Sequence, residues 1–133
     1  MPISFVIENI RSKKAHGVLL WPEMGLESQA VSGPHGNGEL PNGIYQVPRS
    51  GLMDKSGKNS FCDSSGHCWF QYIDPQFLTD RTELGIHPDG NVPGTAGCIG
   101  LLDPDTSNWF EAFKSLPRGH IESLEVVEDY NYS

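Results

Sequence analysis

The chain is poor in basic residues: 9 Lys and Arg stand against 17 Asp and Glu in 133 residues, for a formal charge of −8. A domain this acidic has no counterion-release drive toward DNA or RNA and is disfavoured at anionic membrane surfaces. Long apolar runs are missing as well, and none approaches the roughly 20 residues needed to cross a bilayer as a helix. The opening segment MPISFVIENIRSKKAHG has an acid inside its first apolar stretch and its positive charges after it, the wrong order for a signal peptide. Repeats, low-complexity tracts and linker-like stretches are absent, so residues 1–133 are expected to form one domain with its own core. Cysteine is scarce, and its count of three is odd. At most two can pair within the chain, which leaves one thiol to explain.

Glycine and proline are in excess, at 15 and 10 residues, well above the roughly 12% average share of the two together. They punctuate short apolar runs, and strands are predicted at Ile3–Glu8, Gly17–Trp21, Ser28–Ser32, Gly43–Val47, Cys68–Ile73, Leu84–His87, Cys98–Leu102 and Ile121–Val127. Ile3, Phe5 and Ile7 alternate in the strand period, and Gly33-Pro34, Gly36-Asn37-Gly38, Pro41-Asn42-Gly43 and Asp89-Gly90 mark turns. One helix is predicted near 104–116. Asp103 caps it, Pro104 takes the first helical position, Asp105 complements the dipole, and Trp109, Phe113 and Leu116 form the apolar stripe before Pro117 and Gly119. The acidic stretch Glu122 to Asp129 reads as an edge strand and loose tail. The fold class is therefore mainly β, a sandwich or open barrel with one short amphipathic helix.

The segment from Arg81 to Leu102, RTELGIHPDGNVPGTAGCIGLL, carries the chemistry. His87 ends a short apolar run, and Cys98 follows it by eleven positions, set between Gly97 and the run Ile99-Gly100-Leu101. A thiol is a useful nucleophile as thiolate, and a neighbouring imidazole takes its proton and stabilises the ion pair. Gly94 and Gly97 permit tight turns that aim the N–H groups of Gly97 and Cys98 at an oxyanion. The bland alternative is a buried, unreactive Cys98 beside a merely hydrogen-bonded His87.

These residues resemble the catalytic domain of the L,D-transpeptidase (YkuD-like) family, whose signature is a strand ending in Ile-His-Gly, a loop, then Ser/Thr-His-Gly-Cys-Ile. Here Gly85-Ile86-His87-Pro88 precedes the loop, and Thr95-Ala96-Gly97-Cys98-Ile99 follows it. Upstream, Leu40-Pro41-Asn42-Gly43-Ile44-Tyr45 is similar to the family's Thr-Pro-x-Gly-x-Tyr/Phe strand entry. The resemblance covers roughly residues 33–102 and implies a β-sandwich with little helix. It implies Cys98 as nucleophile, His87 as general base and the Pro88 carbonyl as the group that orients the imidazole. Ala96 stands where the family has a second His, Gly100 where it has an Arg, and the loop is short. These departures resemble the compact effectors delivered by type VI secretion. That resemblance implies L,D-carboxypeptidase cleavage or D-amino-acid exchange on peptidoglycan stem peptides in the periplasm of a target cell. A protein made in the cytoplasm without a leader would then need a secretion-apparatus carrier and, in its producer, an immunity partner, which −8 favours as basic.

Arg81 and Thr95 are candidates for binding substrate, with a surface ion pair to Asp80 or Glu83 as the alternative for Arg81. Cys62 and Cys68 enclose five turn-forming residues. A disulfide, a zinc site with His67, and free thiols are all open to them, and disulfide is the preferred reading, with no metal or cofactor. His16, His35 and His120 read as surface residues, His67 as a possible neighbour of the cleft, and Trp21, Trp69, Phe70, Tyr72 and Phe77 as core. Two other classes compete with an acyl-transfer enzyme on cell walls. One is another cysteine peptidase, chymotrypsin-like or papain-like, for which length and residue order are unsuitable. The other is a non-enzymatic β-sandwich binding or phage structural module with an incidental Cys98.

Overall fold

Strand periodicity dominates the chain, and the structure, a computed structural model describing residues 2–89 and 94–129, realises it in ten strands and one α-helix. The strands are β1 (Ile3–Arg11), β2 (Lys14–Trp21), β3 (Leu26–Ser32), β4 (Gly43–Pro48), β5 (Leu52–Asp54), β6 (Trp69–Tyr72), β7 (Asp74–Pro75), β8 (Gly85–Pro88), β9 (Ile99–Leu101) and β10 (Ile121–Glu128), with α1 at Ser107–Ser115. They form one sheet in the order β5-β6-β8-β9-β3-β2-β1-β10-β4-β7. The pairs β1–β10 and β8–β9 are parallel and the remaining pairs antiparallel. The sheet curls, so Trp69 and Ile86 from one half share a single core with Phe5, Tyr45 and Leu124 from the other. Across the curl, Gln71 Nε2 in β6 donates to the Pro48 carbonyl at the end of β4 at 2.7 Å. The domain is mainly β with one short helix, as the sequence predicts.

Three local expectations change. The acidic segment 122–129 contributes an interior strand, not an edge: β10 lies between β1 and β4, with Leu124 and Val126 buried while Ser123 and Glu125 face outward. Glu125 sits on the outer face with Ser123, while Glu122 and Glu128 flank the buried Leu124 and Val126 at the two ends of the inner face, and an interior strand needs only one dry face in an antiparallel or mixed sheet. The hairpin β1–β2 is longer than predicted because its turn, Ser12-Lys13, takes positive φ at both residues (51° and 64°) without glycine or asparagine to announce it. The short strands β5 and β7 have no signal of their own in the sequence.

The helix also starts later than predicted. Asp103 and Pro104 precede it: Asp103 Oδ1 accepts from the Asp105 N–H and Asp105 Oδ1 from the Ser107 N–H, both at 3.0 Å. Thr106 stands at the N-cap, but its hydroxyl is engaged elsewhere, accepting from Trp69 Nε1 and donating to Asp63 Oδ2, each at 2.8 Å. The Thr106 N–H donates to the same oxygen at 2.7 Å, while Asp63 Oδ1 accepts from the N–H groups of Ser65 and His67 at 3.0 and 2.9 Å. Burial would raise the Asp63 pKa, but these donors outweigh it and hold the carboxyl below its ordinary value. One buried carboxylate thus ties the 62–68 loop to the start of α1. Behind that anchor, Phe113 packs its ring 4.9 Å from Trp21 and 5.8 Å from Trp69, closing the open side of the sheet.

Candidate active site

Parallel pairing of β8 and β9 assembles the site. Ile86 lies opposite Ile99 and His87 opposite Gly100, so Cys98, one residue before β9, falls on the same face as His87. Both line a cavity of about 830 Å³ together with His35, Lys55, Phe61, Phe70, Tyr72, Glu83, Thr95 and Ala96.

His87 is 5% exposed, and its Nδ1 lies 2.6 Å from the Pro88 carbonyl oxygen. A carbonyl only accepts, so Nδ1 carries the proton and donates, and Nε2 keeps its lone pair. The Pro88 carbonyl therefore sits where an imidazole-orienting group is needed. Two rings fix the imidazole plane: Phe61 meets it edge-on at 4.8 Å, and Phe70 stacks at 6.0 Å with 17° between planes. Phe70 reaches this position because Gly85 has no side chain, since a Cβ there would lie 2.2 Å from the Phe70 ring. Burial pushes the His87 pKa down to about 4, against a smaller opposing effect from the Pro88 hydrogen bond.

Neutral burial of an imidazole makes stability pH-dependent. The unfolded chain takes up a proton near the ordinary value of 6.5, whereas the native imidazole refuses it until about pH 4. Between those values the unfolded state binds more protons, so stability falls as pH drops through the window, by at most about 3 kcal/mol. Urea midpoints at pH 7 and pH 4.5 should therefore separate more in the wild-type protein than in His87→Gln, and equal separations would contradict the buried neutral imidazole.

Cys98 is the one free cysteine and is half-buried. Its thiol points at the Glu83 carbonyl at 3.6 Å. Burial pushes the thiol up to about 11, outweighing the main-chain hydrogen bond from Gly85 and the positive charge of Arg81, which favour thiolate. The resting pair is therefore neutral thiol and neutral imidazole, not the ion pair expected from the sequence. Glu83 holds its carbonyl there with a left-handed backbone, φ 56°, a conformation uncommon for a residue with a side chain.

The loop before the nucleophile is organised by Thr95. Its hydroxyl accepts from the N–H groups of Gly33 at 3.0 Å and Gly97 at 3.2 Å, and donates to the Cys98 carbonyl at 2.6 Å. Every donor and acceptor position of the hydroxyl is used. Thr95 forms part of the cavity wall, where the sequence places it as a candidate substrate ligand, and its hydroxyl is spent on positioning the loop. Of the two N–H groups expected to face an oxyanion, those of Gly97 and Cys98, the Gly97 N–H is given to the Thr95 hydroxyl. Gly97 itself adopts φ 125°, and a Cβ there would meet Arg81 Nη2 at 2.2 Å.

That contact shows where Arg81 lies: behind the nucleophile turn and outside the cavity lining. Its Nη1 and Nη2 donate to the carbonyls of Glu39 and Gly38, each at 3.1 Å. Among the described residues Arg81 forms no ion pair with Asp80 or Glu83, and its guanidinium, expected as a candidate for binding substrate, clamps the 33–40 loop against the Cys98 turn. From that loop His35 enters the cavity lining, its N–H donating to the Thr95 carbonyl at 3.0 Å. The sequence reading as a surface residue missed this, because the partners are about 60 positions apart. Phe70 and Tyr72, expected as core, also line the cavity.

Cys62 and Cys68 form a disulfide, which removes them as zinc ligands. It closes the loop directly after Phe61 and so braces the ring against His87. His67 lies outside the cavity lining, its Nδ1 at 3.4 Å from both Asp63 Oδ2 and Asp105 Oδ1. Ligand atoms of these three residues lie within 4.8 Å of one another, but the Asp63 oxygens already accept four hydrogen bonds. Among the described residues no helix is long and apolar enough to cross a membrane. No protein-family model matches the chain, and no curated protein or solved structure does.

Proposed function

We propose that this protein is a cysteine acyl-transfer enzyme that cleaves or exchanges the terminal D-amino acid of peptidoglycan stem peptides. One observation carries the reaction class. An imidazole locked with Nδ1 on the Pro88 carbonyl shares a cavity with the one free thiol. The substrate class rests on the resemblance of residues 85–99 to L,D-transpeptidases, and action as a secreted antibacterial effector rests on the same resemblance.

In this reading Cys98 Sγ attacks the carbonyl carbon before the terminal residue. His87 Nε2 takes the thiol proton and passes it to the departing amine as the C–N bond breaks, leaving a thioester on Cys98. Water, deprotonated by His87, then cleaves the C–S bond and releases a carboxylic acid and the thiol. In exchange, the amine of another D-amino acid replaces water. Because the resting pair is neutral, proton transfer accompanies attack and does not precede it.

The test is incubation with purified disaccharide tetrapeptides and mass spectrometry of the products. Loss of one D-alanine, or its replacement by added D-methionine, is expected. Intact tetrapeptide after prolonged incubation with the oxidised protein would favour the non-enzymatic module.

A further inference from the structure

The cavity holds a cation that the mechanism above does not use. Lys55 follows β5, and its main-chain N–H donates to the Cys68 carbonyl at 3.0 Å, which fixes it beside the disulfide loop. Its Nζ lies over two rings, 5.6 Å from the centroid of Phe61 and 5.9 Å from that of Phe70. Among the described residues no carboxylate lies within ion-pair distance of it, although Asp and Glu outnumber Lys and Arg nearly two to one. Aromatic faces hold an ammonium in place without cancelling its charge. The position therefore offers a fixed positive charge, without an ion-pair partner among the described residues, inside a cavity that Glu83 also lines.

Its place in the cavity assigns the charge to one side of the scissile bond. Phe61 and Phe70, the rings beneath Nζ, are the same two rings that touch His87. The imidazole delivers the proton to the leaving amine, so the leaving group must lie on the His87 side of the cavity. In an α-amino acid the carboxylate is two bonds from that amine. A terminal residue departing at His87 thus carries its carboxylate toward the shelf where Lys55 sits.

We propose that Lys55 is the receptor for the leaving residue's free carboxylate, which restricts the enzyme to removing single C-terminal residues. This rests on the acyl-transfer reading, and it makes the protein an exopeptidase by charge recognition. An internal peptide bond presents a neutral amide at that position and leaves the ammonium unpaired and partly desolvated, a penalty that discriminates against it.

The test separates this proposal from the reaction itself by measuring binding without turnover. Cys98→Ala protein is titrated with acetyl-L-alanyl-D-alanine and with its C-terminal carboxamide, followed by NMR shifts. The acid should bind about tenfold more tightly than the amide. Adding Lys55→Met, which keeps the alkyl stem over the rings, should abolish the preference, and Lys55→Arg should retain it. Equal affinities for acid and amide, a preference that survives Lys55→Met, or no binding of either would overturn the assignment. Acid preference in a protein that turns over no stem peptide would instead uphold Lys55 and reject the proposed substrate.

Discussion

Cys98→Ala protein should fold normally and release no D-alanine from stem tetrapeptides, while His87→Ala should retain activity reduced by about 10²–10⁴-fold. The asymmetry follows from the roles. Without the sulfur no thioester forms, whereas without the imidazole the thiol can still react through its small ionised fraction. That fraction grows with pH, so the His87→Ala rate should climb steadily toward the thiol value of about 11. The wild-type profile should differ in shape. Its active form is neutral imidazole with protonated thiol, which dominates between about 4 and about 11. kcat/KM should therefore stay nearly level from about pH 5 to about pH 10 and fall below, as His87 gains a proton. Iodoacetamide should label the empty site slowly at neutral pH, in contrast to the fast labelling of a preformed ion pair. An inflection near pH 6.5, or rapid neutral labelling, would show that His87 and Cys98 do not rest in the neutral forms that their burial imposes. Unchanged turnover in either variant would remove that residue from the mechanism.

The site was legible in the sequence to the extent that its parts lie close together in the chain. His87, Pro88 and Cys98 fall within twelve residues, and glycine beside a cysteine at a strand entry is a local signal. The same holds for most strands, because alternation is written into consecutive residues. What the sequence hid is whatever depends on contacts between distant segments. Arg81 looks like a free cation until Gly38 and Glu39, over forty positions earlier, take its donors. Lys55, Phe61 and Phe70 have no motif, and become a wall of the site only because β5 and β6 pair beside β8. The interior place of β10 was hidden by its own carboxylates, of which Glu122 and Glu128 only bracket the buried face and Glu125 lies on the outer one, so that their density says nothing of the neighbours on either side. Ionisation was hidden for a related reason. A nearby imidazole and thiol suggest an ion pair, but burial of both groups reverses the preference.

Thr95→Val should separate positioning from substrate binding and carries the largest expected loss of stability. Valine matches threonine in shape but lacks the hydroxyl, so the N–H groups of Gly33 and Gly97 and the Cys98 carbonyl lose their partner together. Thr95 is 5% exposed, and water has little access to replace those bonds. Each buried polar group left unpaired costs about 1–3 kcal/mol, so a total loss of about 3 kcal/mol or more is expected from a fold whose net stability is typically about 5–15 kcal/mol. The loss should not be confined to stability. Gly97 and Cys98 are held by this hydroxyl directly, and its link to Gly33 ties the nucleophile turn to the loop that carries His35. Released, the thiol loses its fixed approach to the carbonyl carbon, and kcat should fall about a hundredfold, the scale on which misplacing a reacting group by about an ångström is felt. Thr95→Ser keeps all three hydrogen bonds and should recover most of both quantities. A substrate-binding threonine would behave differently, with a raised KM, unchanged kcat and an unchanged urea midpoint. If Thr95→Val gives that pattern, the hydroxyl serves the substrate and the loop is held by other contacts. If it lowers the midpoint and kcat together and serine restores them, the hydroxyl builds the loop that aims Cys98 at the acyl carbon.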